Sequence, residues 1–325
     1  MTAYLPAYYP HLPSPAATDF SSPQDRSMLR GVLERVRRSR SSSTVVSDVD
    51  EASRSLQLLH IAHTAVLNPT HSQLIDQHLA SVHQAGRRSS VLDVGCGTGT
   101  WAINLANTQP YADVIGVDWD WSWFTPSQSV HGNLDFQTID VSAALPFHPS
   151  YFDLIHVKCL LPSLPGYAGL IERLAACLRP GGMLILVESE VGYSSDQPMS
   201  PSMRTWNACI REAMAGKGID SGLATDLVGF IGSRGVFSSA VYHHTATIRG
   251  ASGGQGDVES LACAGRLHPD LIAVILDRQL AELVRFGYGH TELWPHKEAV
   301  RHELSHPYSP VRQRIFAAYA TKVGP

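Results

Sequence analysis

The chain has 325 residues, 44% of them apolar and 17% charged, a balance that supports a sizeable core in one large domain or two ordinary ones. A formal net charge of −4 gives no global attraction to nucleic acid or to an anionic membrane. No apolar run approaches the roughly 18 residues that a membrane helix needs, so neither partner is expected.

Five cysteines (Cys96, Cys159, Cys177, Cys209 and Cys263) are odd in number, widely spaced and without a C-x-x-C pair. That pattern suits reduced thiols inside a cell better than a disulfide framework. The N-terminus, Met1 to Pro6, lacks the charged start and apolar centre of a signal peptide, so a cytoplasmic location is expected. Sixteen histidines raise the question of a metal. His60 and His63 lie one turn apart on an expected helix, and His243 and His244 are adjacent in an expected strand. Neither pair has a carboxylate or thiolate at ligand spacing, so both read as core or surface histidines and no metal site is expected.

Residues 1–50 are rich in Pro, Ser and Arg and read as a mostly disordered tail. Within it, Arg26 to Arg40 carries six arginines against Glu34, with Leu29, Val32, Leu33 and Val36 at helical spacing. The segment reads either as a solvated basic tail or as a short helix serving as a nuclear address or a contact for protein partners.

From Glu51 the pattern tightens. Leu56, Leu59, Val66 and Leu67 share one face of a helix that stops before Pro69, and Leu74, Ile75 and Leu79 mark a second helix from about Thr70 to Ala85. These two helices either cover a sheet edge or lid a ligand. Strands are expected at Val91–Val94, Val114–Asp118, Leu134–Ile139, Phe152–Val157 and Met183–Val187, with helices from Trp101 and from about Tyr167 to Leu178. The second helix is expected to stop at the turn Arg179-Pro180-Gly181-Gly182. Continuous apolar strands alternating with helices predict an α/β fold: a Rossmann-like, mostly parallel sheet with helices on both faces. Crossovers should be right-handed and ligands should lie beyond the carboxyl ends of the strands.

Beyond Glu188 extra helices forming a cap are expected at Ser202–Ala215, Leu223–Ile231, Pro269–Phe286 and His290–Leu304, with strands at Val241–Ile248 and Arg312–Val323. Gly250 to Gly256 reads as a linker turn. The expected organisation is a tail at 1–50 and one domain at 51–325, with its core at about 86–190 and the cap and last strands at 191–325.

The most informative stretch is Val91-Leu92-Asp93-Val94-Gly95-Cys96-Gly97-Thr98-Gly99-Thr100-Trp101. An apolar strand ends in a turn where backbone approaches a ligand too closely for a Cβ. The glycines follow Asp93 as D-x-G-x-G-x-G. The dinucleotide fingerprint would need a glycine where Thr100 stands, and no P-loop sequence occurs, so neither a dinucleotide oxidoreductase nor a P-loop NTPase is indicated. Asp118, 19 residues after Gly99 at the end of the second strand, can accept both ribose hydroxyls. Asp140, at the end of the third, can accept from an adenine amine, and Asp93 can meet an ammonium group. A cofactor with ribose, adenine and a cationic amino-acid end, and without a pyrophosphate, is S-adenosylmethionine.

Those residues carry a resemblance. With Val91 to Ala102, Val114 to Asp118, Phe152 to His156 and Leu178 to Gly182, the chain from about Leu56 resembles the class I S-adenosylmethionine-dependent methyltransferases. Within them it is similar to the LaeA-like methyltransferases of filamentous fungi. The resemblance implies a seven-stranded sheet with an antiparallel last strand, contact of Gly95, Gly97 and Gly99 with the methionyl end, of Asp118 with ribose and of Asp140 with adenine. Cys96, Trp119 and Val141 flank these positions and belong to the expected cofactor set. A catalytic thiol at Cys96 is not expected, because methyl transfer calls for none. The family usually continues after Asp118 into a segment ending in Gln-Pro; here Trp119-Asp120-Trp121-Ser122-Trp123-Phe124 follows, to wall the adenine, shape an acceptor pocket or form a surface loop.

With an activated donor, the protein must align a nucleophile and exclude water, and it needs a base only for an acceptor protonated at neutral pH. His156, Lys158 and Glu188, with Tyr193 near them, are the catalytic candidates. Two functions are compatible with this sequence: methylation of a small-molecule acceptor in secondary metabolism, and a LaeA-like nuclear regulator acting through protein partners.

Overall fold

The computed structural model describes residues 48–120, 132–238, 241–250, 262, 265–306 and 308–324. The expected tail through residue 47 with its Arg26–Arg40 segment, the aromatic residues from Trp121 onward, and residues 251–256 of the expected linker turn lie outside these. Among the described residues, no helix is long and apolar enough to cross a membrane.

Helix α1 (Asp48–Leu67) begins slightly before the expected boundary at residue 51, and α2 (Thr70–Gln84) follows after Asn68-Pro69. Then come β1 (Ser89–Val94), α3 (Thr100–Thr108), β2 (Ala112–Asp118), β3 (Leu134–Thr138) and β4 (Phe152–Lys158). Helix α4 (Tyr167–Cys177) leads directly into β5 (Leu178–Ser189). The C-terminal part contains β6 (Ser194–Ser195), α5 (Pro201–Gly216), α6 (Leu227–Gly232), β7 (Tyr242–Gly250), β8 (Arg266–Leu267), α7 (Pro269–Phe286), α8 (His290–Leu304) and β9 (Val311–Thr321).

The strands join in the order β3-β2-β1-β4-β5-β9-β7-β8, with β6 on β9. The first five run parallel, and β9 is antiparallel to both β5 and β7. The sheet has nine strands where seven were expected. The seven long ones match the expectation; β6 and β8, two residues each, are additions at the sheet's margin that no hydrophobic period could reveal. β1, β4 and the second half of β5 are buried almost throughout because helices cover both of their faces. One face packs against α1, α2, α3, α7 and α8 and most of α5. The other packs against α4 and α6.

Two expectations need correction. Arg179-Pro180-Gly181-Gly182 is a bulge inside β5, not a turn before it. Phe152 pairs with Leu178 but Leu154 pairs with Met183, so the extra residues loop out of the ladder. Leu223–Ile231 is a 3₁₀ turn (Leu223–Asp226) followed by α6, restarted where the Asp226 side chain accepts from Gly229 N at 3.0 Å. In the C-terminal region β7 and β9 complete the main sheet, in keeping with the last strands expected there. Only α5, α7 and α8 form an added layer. Buried Trp206 on α5 donates through Nε1 to Gln279 Oε1 on α7 at 2.9 Å. Ser200 caps α5 by accepting from Met203 N at 3.1 Å and donates to Glu303 of α8 at 2.6 Å.

Asp153 anchors the amino end of β4. It is almost fully buried and accepts from Ser90 N at 2.9 Å, Arg87 Nη2 at 3.0 Å and Arg179 Nη1 at 2.6 Å. The aspartate of the F-D-L-I-H stretch is therefore structural, far from the carboxyl ends where ligands bind.

Candidate active site

The glycine loop leaves the carboxyl end of β1 and turns into α3. Gly95, Gly97 and Gly99 have φ of 70°, 53° and 73°, in the left-handed region that side chains avoid. A Cβ on Gly95 would lie 3.0 Å from Leu160, whereas one on Gly97 meets nothing within 4 Å. The backbone at Gly97 is thus open to an incoming group. Asp118, at the end of β2, ties the loop down: Oδ2 accepts from Gly97 N at 2.8 Å, and Oδ1 from Trp119 N at 2.8 Å and Asp120 N at 3.3 Å. Burial raises its pKa above the ordinary carboxylate value, against the pull of these N–H groups.

Asp93 is buried, with Oδ1 accepting from His156 Nδ1 at 2.8 Å and Oδ2 lacking any partner among the described residues. In the strand register, Asp93 of β1 pairs with His156 of β4, which pairs with Ile185 of β5, which pairs with Tyr319 of β9. Trp101 of α3 stacks on the His156 ring at 3.9 Å between centroids, and His71 of α2 bonds Tyr319 Oη at 2.7 Å. Burial lowers the pKa of His156 despite its bond to Asp93, so the imidazole is neutral, donating through Nδ1.

The other expected cofactor residues lie around this loop in different states. Trp119 is 73% exposed. Asp140 is exposed, and its Oδ1 accepts from Ser142 N at 2.9 Å and Ser142 Oγ at 2.6 Å, which holds its pKa below the usual value. Val141 has a buried side chain and a carbonyl that accepts from Arg173 at 2.7 Å. Cys96 points its sulfur down towards β2, where a Cβ on Gly116 would come within 3.2 Å of it, and burial drives its thiol pKa far up.

A family model described as a methyltransferase domain matches residues 47–215, more than half of the chain. The chain belongs to the methyltransferase domain family. S-adenosylmethionine is accordingly the cofactor of this domain. Among curated proteins, the chain is 33% identical over 115 residues to methyltransferase str3 of Strobilurus tenacellus, covering 35% of this chain and 40% of that protein. It is 35% identical over 129 residues to the protein-methionine methyltransferase laeA of Emericella nidulans, covering 38% of this chain and 33% of that one. The matches thus span less than half the length of these relatives. Among solved structures, phosphoethanolamine N-methyltransferase 2 of Haemonchus contortus aligns over 77% of this chain and 53% of its own, with a TM-score of 0.45 and 15% identity.

The residues present fit that cofactor. The orphaned Oδ2 of Asp93 suits an ammonium group, the open backbone at Gly97 admits a close ligand, and Asp118 stands at the end of β2 beside both.

The acceptor-side candidates separate into two groups. Lys158, half-buried at the end of β4, has Nζ 3.0 Å from His60 Nδ1 on α1. Burial brings its pKa down from the ordinary lysine value to about 8. Next to it Cys159, at φ 53°, has its sulfur 3.6 Å from His63 Nδ1 and 3.7 Å from Ser189 Oγ; its thiol is pushed up to about 11. Glu188 faces the opposite side of the sheet. Its Oε1 accepts from Leu160 N at 3.1 Å and Leu161 N at 3.2 Å, fixing the segment after β4. Burial raises its pKa to about 8, against the hydrogen bonds it accepts from Leu161 N, the Tyr167 hydroxyl and Leu160 N. Tyr193 is buried near Gln279, against α5 and α7.

α1 thus lies over the carboxyl end of β4, which decides between covering a sheet edge and lidding the site: its histidines meet Lys158 and Cys159. From the sequence, His60 and His63 read as core or surface histidines, and nothing singled out His71. The i, i+3 spacing of His60 and His63 was the available signal, but only the tertiary contact gives it chemical content. Among the described residues, no group of His, Cys, Asp or Glu is arranged to hold a metal.

Proposed function

We propose that the chain methylates a small-molecule acceptor of secondary metabolism, using S-adenosylmethionine. One observation supports this above the others. Three buried polar atoms without partners among the described residues lie on the α1 side of the sheet, at the carboxyl ends of β1 and β4: Asp93 Oδ2, His156 Nε2 and His63 Nε2. Buried polar groups are nearly always hydrogen-bonded, so a concentration of orphans at strand ends is what a ligand site leaves behind.

The cofactor supplies a methyl group already activated on a sulfonium. The protein's share is to hold, align and dry the reactants. The backbone of Gly95, Cys96, Gly97 and Gly99 and the free oxygen of Asp93 hold the methionyl end, and His156 fixes the Asp93 carboxylate from behind. Asp118 holds the ribose, and Asp140, Val141 and Trp119 border the adenine. Helix α1 closes over Lys158 and excludes water, which favours a small acceptor over a protein side chain. Turnover of radiolabelled S-adenosylmethionine on fungal polyketide and phenolic metabolites is the test. Absence of S-adenosylhomocysteine binding in calorimetry refutes the reading.

A second reading, a nuclear regulator acting through protein partners, is supported by the similarity to the Emericella nidulans laeA protein and by the basic Arg26–Arg40 segment. Deletion of residues 1–47 tests it. An unchanged distribution between cytoplasm and nucleus counts against it.

A further inference from the structure

We infer that α1 contributes to the catalytic apparatus: Lys158, positioned by His60, takes the proton from a hydroxyl acceptor, so the substrate class is a phenol or enol. The inference rests on the methyl-transfer reading above and deepens it. Its ground is the pairing itself. A lysine drawn into the protein for structure alone is normally neutralised by a carboxylate. Among the described residues, none forms an ion pair with Lys158, and its partner at 3.0 Å is another base, His60 Nδ1. When Lys158 is protonated, Nζ donates and Nδ1 accepts, which leaves the His60 proton on Nε2, 3.4 Å from Thr64 Oγ1. The imidazole is therefore a fixed acceptor that orients the amine and cannot itself carry the charge.

The surroundings sustain this arrangement. His60 and His63 face Lys158 from α1, His71 from α2, His156 and Cys159 from β4 and the residue after it, and Asp93 from β1; Glu188 bears on Cys159 from β5. Three of these histidines lie deep in the protein, and burial holds all four neutral. Asp93 is engaged by His156. Burial with so little negative charge keeps Lys158 at about 8, where roughly a tenth of the amine is free at pH 7, far more than for an ordinary lysine, and it is still basic enough to accept a phenolic proton.

In the step, the acceptor oxygen bonds the methyl carbon while the carbon–sulfur bond breaks and its electron pair stays on sulfur. The hydroxyl proton goes to the unshared pair of Lys158 Nζ. The resulting ammonium donates to His60 Nδ1 and releases its proton to solvent on product release. A thioether acceptor carries no such proton and has no use for the pair.

The test uses the full chain with S-adenosylhomocysteine bound and histidine labelled with ¹³C at Cε1. The His60 resonance, assigned by its loss in His60→Gln, should shift with a midpoint near 8, and the shift should vanish in Lys158→Met. In turnover, Lys158→Met should lower kcat about 100-fold for phenol but under about tenfold for 4-nitrophenol, which is largely ionised without help. His60→Gln should move the midpoint of the pH–rate profile and leave S-adenosylhomocysteine affinity intact. A flat His60 titration, equal losses for the two phenols, no turnover of either, or methylation confined to thioether peptides overturns the inference. Failure of the wild-type chain to bind S-adenosylhomocysteine instead sinks the methyl-transfer reading beneath it.

Discussion

Replacing Asp118 with alanine removes a carboxylate already committed to the protein. An ionised carboxylate offers about four lone-pair sites. Three are taken here, by Gly97 N and Trp119 N at 2.8 Å and by Asp120 N at 3.3 Å. One strong site is left on Oδ2, so a ribose diol can be gripped bidentately only by displacing the long Asp120 contact. One charge-assisted hydrogen bond, with part of a second, is worth about 2–3 kcal/mol, or roughly 30- to 150-fold in affinity. The alanine variant also frees three N–H groups, but these border solvent and rehydrate, so stability should fall by only about 1 kcal/mol. Calorimetry with S-adenosylhomocysteine reads the first quantity and a urea melt without ligand reads the second. A dissociation constant within about threefold of wild type would refute the ribose assignment. A large loss of stability with unchanged affinity would mean that Asp118 serves the loop alone.

Other outcomes follow from the same geometry. Gly97→Ala forces a side chain into the left-handed region and fills the open backbone position, so affinity should drop at least about tenfold while the melt loses only about 1 kcal/mol; equal affinity would show that no ligand approaches there. Glu188 ionises near 4.5 in the unfolded chain but keeps its proton to about 8 when folded, so the folded state holds an extra proton between those values and wild-type stability falls as pH rises across them. Glu188→Gln, which retains an acceptor for Leu160 N and Leu161 N, should gain a few kcal/mol on wild type between about pH 5 and 8.5 in denaturant titrations; a constant difference would refute the buried-acid account. Asp153→Ala strips Ser90 N and two half-exposed arginines of their shared acceptor and should cost about 3 kcal/mol without changing S-adenosylhomocysteine affinity. A loss under about 1 kcal/mol would show that the hub is dispensable.

The long elements were legible because their signals are local. The glycine turn, the acids at the ends of β2 and β3, and the amphipathic faces of α5, α7 and α8 each occupy a single stretch of chain. The β5 bulge was read as a turn because Pro-Gly-Gly punctuates helices and ladders alike. Whether such residues end a strand or loop out of it depends on a partner 26 residues away, Phe152 opposite Leu178. His156 illustrates the same limit from the chemical side. As a strand-end histidine it looked like a base, but its register partner is Asp93 and its stacking partner is Trp101. In the fold it supports the buried Asp93 carboxylate.

The sequence by itself determined the fold class and the methyl donor, because hydrophobic period, glycine spacing and acids at strand ends are short-range facts that backbone sterics translate directly into a turn and a site. Only the tertiary structure assembled the surroundings of Lys158. Lys158 and His60 stand 98 residues apart, and they meet because α1 folds back over the end of β4. The burial that brings Lys158 to about 8 comes from that packing, and no local pattern encodes it.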